Sequence, residues 1–88
     1  MTNYEKMFTD WNKMRYESAY LGFKKKDFSK MYFFISQRIG VEQAEYFNNQ
    51  TKLYKRVYCA YVCYMFHPNK AIQDEAYQYY KKREEVLN

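Results

Sequence analysis

Three consecutive lysines, Lys24, Lys25 and Lys26, stand in the stretch GFKKKDFSKMYFF, between a glycine and a run of aromatic rings. Ammonium groups placed after one helix and before the next lie beside backbone N–H groups that have no intrahelical partner, and both kinds of donor suit a phosphodiester. Phe8 and Trp11 occupy the segment leading into this bend, and Phe28 and Tyr32 the segment leading out, so flat apolar faces could flank a cationic centre. A base stacked on such a ring contributes on the order of 1–3 kcal/mol, and charge-assisted hydrogen bonds to phosphate add to that. The plainer reading of the same residues is a solvated lysine loop between helices whose rings are core.

Other constellations are weaker. Residues 33–56 have a helix-turn-helix flavour, with Gln43, Asn48, Asn49 and Gln50 as amides able to read base edges and Lys52, Lys55 and Arg56 as phosphate contacts. Glu42 and Glu45 would then face the DNA backbone at the start of the recognition helix, which opposes that reading. Cys59, Cys63 and His67 share one helical face at i, i+4 and i+8, but structural zinc needs four ligands and the sequence has no other cysteine or histidine. No metal and no cofactor are expected. One histidine, without a serine or carboxylate pattern around it, also gives acid–base or nucleophilic catalysis little to build on, so the chain reads as a binder and not an enzyme.

These residues must be positioned by helices. Two glycines and one proline leave few places to turn, which excludes hairpin-linked strands and predicts an all-α fold. Thr2 and Glu5 form a capping box, Tyr4, Met7, Phe8, Trp11, Met14, Ser18 and Leu21 follow at helical spacing, and Gly22 is the expected stop. Asp27 or Ser29 caps a second helix carrying Phe28, Met31, Tyr32, Ile35 and Ile39, which Gly40 ends or bends. From Val41 the pattern resumes and runs through Thr51 and Tyr58 to Met65 with two apolar seams, as a central helix would. Pro68 and Asn69 then open a last helix with Ile72, Ala76, Tyr79 and Tyr80 on one face. The expectation is a single domain over residues 1–88: a short N-terminal helix, then long antiparallel helices with a possible kink at Gly40.

Composition bears on partners. Tyr 12, Phe 7 and Trp 1 make 23% of the chain aromatic, more bulk than one small core encloses, so some rings should meet a ligand or a second copy in a homo-oligomer. A net charge of +5 attracts phosphates, nucleic acid or anionic lipid without choosing among them. The two cysteines are poorly aimed for a disulfide and fit a reducing compartment, and no leader-like or membrane-length apolar run is present. A soluble cytoplasmic protein, without membrane association, is expected.

The aromatic residue in TNYEKMFTDWNKM, Trp11 or Phe8, and the lysine in GFKKKDF, Lys26 or Lys24 or Lys25, give the chain its resemblance to a known family. In outline it resembles the second class of anti-CBASS sponges, small helical bacteriophage proteins that sequester cyclic oligonucleotide messengers and so evade host immunity. The resemblance implies a compact homo-oligomer that holds cyclic dinucleotides of the cGAMP type between protomers, with a ring from the first helix and a lysine shortly after it. It further implies cyclic trinucleotides as a possible second ligand, for which Arg15, Arg38, Arg56 and Arg83 are the cations best suited to phosphate forks. The competing expectations are a small basic DNA-binding regulator and a helical inhibitor that docks on a host protein through its aromatic surface.

Overall fold

The structure is a computed structural model that describes the backbone of residues 3–88 and the side chains of residues 11–88. The described chain is all-α: α1 (Asn3–Lys25), α2 (Ser29–Arg38), α3 (Val41–Asn48), α4 (Lys52–Phe66), α5 (Lys70–Lys81) and a closing 3-10 turn (Glu84–Leu87). The capping box at Thr2 and Glu5 lies outside the described residues, as do the side chains of Tyr4, Met7 and Phe8.

The first helix is not short. At 23 residues α1 is the longest element, and it runs straight through Gly22. The glycine is there for proximity and not for termination: a Cβ at position 22 would stand 2.3 Å from Cys59 Sγ and 3.0 Å from Cys59 Cβ. Ser18, Ala19 and Gly22 therefore form a flat stripe on α1 against which Cys59, Ala60 and Cys63 of α4 can pack, with Ser18, Ala19 and all three α4 residues buried. The chain turns at Lys26, which adopts the left-handed conformation at φ 58°, uncommon for a residue other than glycine, and Asp27 N–H closes the bend on Leu21 O at 3.2 Å.

Neither Asp27 nor Ser29 holds the cap of α2, which falls on Phe28 without a side-chain bond; Asp27, one residue earlier, accepts from the Ser29 N–H at 3.2 Å and from Ser29 Oγ at 2.7 Å. Those two bonds hold its carboxyl below the usual carboxylate range. At Gly40 the chain breaks between α2 and α3: the N–H groups of Ile39 and Gly40 both donate to Ile35 O, at 2.8 and 2.9 Å. Tyr32 OH then donates to Glu45 Oε1, joining the two helices.

The long helix expected from Val41 to Met65 is two helices. Asn49 closes α3, and Thr51, counted in sequence as part of the apolar face, instead caps α4 by accepting the Tyr54 N–H at 3.1 Å. Asn69 does the same for α5, accepting from Ile72 N–H at 3.2 Å, as its position after Pro68 implies. The central placement of α4 agrees with its two apolar seams: it packs on α1, on α5 and on the closing turn, while α2 rests on α1 and α3. Phe23, Met31, Phe34, Ile35, Phe47, Val57, Val62 and Ala76 complete the core. Among the described residues no helix is long and apolar enough to cross a membrane.

Candidate functional site

Thirteen helical steps lead from Trp11 to Lys24, which at 1.5 Å per residue is about 20 Å along α1. The indole and the lysine cluster therefore stand near opposite ends of the same helix and do not meet within one chain. Phe8, the alternative ring, has its side chain outside the described residues. Trp11 is half-buried and stands edge-on to the buried Phe34, with ring centroids 6.0 Å apart, and the Arg38 guanidinium lies 6.0 Å from its ring.

The three lysines also part company. Lys24 pairs with Glu75 of α5 and passes 5.4 Å from the Phe23 ring, so its charge is already partnered. Lys25 is exposed. Lys26, at the left-handed bend, borders a depression that it shares with Phe28, Lys52, Leu53, Arg56 and Tyr79.

The residues that do converge with rings are arginines. A groove of about 480 Å³ runs between α1, α2 and α4, with Arg15, Arg38, Ile39, Tyr58, Tyr61 and Phe66 along it and Met31, Phe34 and Val62 beneath. Among the described residues no carboxylate lines it. Arg15 stacks on Phe66, its guanidinium carbon 4.1 Å from the ring centroid, and Nη2 donates to Asn12 Oδ1 at 2.7 Å. Its Nε is buried and has no hydrogen-bond partner among the described residues. Burial raises the Tyr58 phenol above its ordinary value, so the phenol stays protonated and remains a donor. Cationic donors and flat rings, with no counter-charge among the described residues, together describe a seat for an anion that carries aromatic groups.

A larger cavity, about 540 Å³, lies between α1 and α2; Lys13 is paired with Glu17 across 3.9 Å on its wall, which leaves Lys30 as its one unpaired cation among the described residues and Phe33 as its one ring. In the stretch with helix-turn-helix flavour the second helix, α3, is only eight residues long and ends at Asn48. Asn49 and Gln50 fall in the turn that follows, where Gln50 Nε2 donates to Tyr46 O at 3.0 Å, and Glu45 is engaged by Tyr32. Among the described residues no three metal-type side chains converge. His67 sits edge-on to Tyr16, with centroids 5.0 Å apart, and its Nδ1 accepts the Asn69 N–H at 3.0 Å. Cys59 and Cys63 are buried free thiols; burial pushes Cys63 up to about 12 and Cys59 higher still.

No family model matches the chain, and no curated protein or solved structure is significantly similar to it. Sequence reasoning named Arg15 and Arg38 as good phosphate ligands but had no means of pairing them. They lie on different helices, and only the packing of α1 against α2 brings them to one groove.

Proposed function

We propose that the protein is a non-catalytic binder that sequesters a compact cyclic oligonucleotide of the cyclic-dinucleotide class, in keeping with the phage sponge family that it resembles. The observation that carries this is the pair of guanidinium groups opening on an aromatic groove whose walls, among the described residues, hold no carboxylate. Its volume of about 480 Å³ falls within the range of roughly 300–1,000 Å³ typical of small-molecule sites. Arg15 and Arg38 would take the phosphates, and Tyr58, Tyr61 and Phe66 the bases. Nothing in this arrangement calls for bond cleavage, and capture alone removes a messenger by mass action.

Self-association belongs to the same proposal. Phe33, Ile39, Val41, Tyr46, Leu53, Tyr64, Met65 and Phe66 are large apolar residues left 37–64% exposed, more than a small isolated domain usually leaves uncovered. A symmetric homo-oligomer would cover part of this surface.

The test is incubation of the purified protein with a panel of cyclic di- and trinucleotides, reading thermal shift, native mass and the chemical identity of ligand released by denaturation. Stabilisation by a cyclic dinucleotide recovered unchanged is expected. Arg38→Gln should weaken binding by about 10- to 150-fold, the loss of one charge-assisted hydrogen bond of roughly 1.5–3 kcal/mol. No stabilisation by any member of the panel refutes the proposal.

A further inference from the structure

The end of the molecule remote from Trp11 carries a second cationic surface, built from different helices. Lys26, Lys52 and Arg56 border a depression of about 210 Å³ together with Phe28, Leu53 and Tyr79, and among the described residues no carboxylate lines it. Aromatic groups hold the neighbouring cations in place. Arg56 Nε donates to Phe23 O at 2.9 Å while its guanidinium carbon lies 4.6 Å from the Tyr79 centroid, and Arg83 covers the same ring at 4.1 Å. Lys55 Nζ stands 5.2 Å from the Phe28 centroid. Cations fixed in this way lose little freedom when they meet an anion, which is how a shallow site gains affinity.

The size of the depression selects the ligand. At about 210 Å³ it is smaller than the roughly 300 Å³ at which small-molecule pockets begin, so it seats one phosphate with part of its sugar and not a whole nucleotide. Lys55 and Arg83 continue the positive charge beyond its rim, where the next phosphates of a chain would fall. We propose that this face is a track for the phosphate backbone of a single-stranded nucleic acid, separate from the arginine groove and independent of what that groove binds. A concave seat must draw one phosphate inward relative to its neighbours. A flexible strand allows this, and a duplex with a persistence length of about 50 nm resists it. Leu53, 47% exposed, offers an apolar rest for the adjoining base.

Filter binding of a labelled oligo-uridine strand across a series of salt concentrations tests the proposal. Each phosphate contact should contribute about 0.7 to the slope of log affinity against log salt. Lys26 and Lys52 are both exposed, so the double variant Lys26→Gln/Lys52→Gln should fold normally, lower the slope by about 1.4 and weaken binding at low salt. Lys52→Gln alone should lower it by about 0.7. Arg38→Gln should leave strand binding untouched, and a cyclic dinucleotide should not compete, whether or not it binds the groove. The proposal is overturned by absence of strand binding at low salt, by an unchanged slope in both lysine variants, or by equal affinity for duplex of the same length. Capture by phosphatidylserine vesicles without strand binding would likewise overturn it and assign the face to a membrane surface.

Discussion

Replacing Gly22 by Ala separates two accounts of this glycine. In an exposed helix the change would stabilise, because alanine is favoured over glycine by about 0.8–1.0 kcal/mol in a helix interior. Here the added methyl would meet Cys59 Sγ at 2.3 Å, Cys59 Cβ at 3.0 Å and Phe28 Cδ1 at 3.2 Å, against ordinary contacts of 3.4–4 Å. Cys59 is wholly buried on the central helix and has no room to withdraw, so α1 and α4 must move apart by about 1 Å. Overpacking of this kind costs about 1–3 kcal/mol. With several close contacts the upper figure applies, and after the helix gain a net loss of about 2 kcal/mol remains. For a domain of this length that corresponds to a fall in Tm of roughly 8–16 °C. Thermal unfolding followed by circular dichroism measures it. The double variant with Cys59→Ala should lose less than the sum of the two single changes, because the sulfur that collides is gone. An equal or higher Tm for Gly22→Ala would refute the close approach of the two helices.

The other two predictions concern titratable groups. Burial holds His67 below its ordinary value of 6.5, so the fold favours the neutral ring whose Nδ1 accepts the Asn69 N–H. Its contribution to stability is complete above about pH 6.5 and is lost as pH falls through the lowered folded value. Tm should therefore drop as pH falls below about 6.5, and His67→Gln, which does not titrate, should flatten the drop; identical profiles would contradict this. Cys59 and Cys63, kept protonated by burial, should react with a thiol reagent only as fast as the protein unfolds. Rapid labelling of either in the native state would mean that the α1–α4 seam opens locally.

The helical class and the start of α5 were legible because they rest on local chemistry: scarce glycine and proline in one case, the Asn69 cap after Pro68 in the other. The place where α2 starts was legible for the same reason, although its cap position falls on Phe28, between the two residues expected to hold it. Gly22 misled because a glycine that ends a helix and one that admits a neighbouring helix look alike until the neighbour is known. Thr51 misled because its side chain falls in phase with an apolar stripe while bonding to the backbone. The distance between Trp11 and the lysines could have been worked out beforehand, since helical rise alone places them about 20 Å apart. The Arg15–Arg38 groove could not, because its members come from helices whose packing no spacing rule predicts.

The single indole of the chain stands against Phe34 and Arg38, two residues that also border the arginine groove, and nowhere near the lysine bend. The protein thus carries its own optical reporter for one surface and none for the other. Quenching of tryptophan emission follows occupancy of the groove without any label, while a ligand confined to the basic track leaves that emission dark to its arrival.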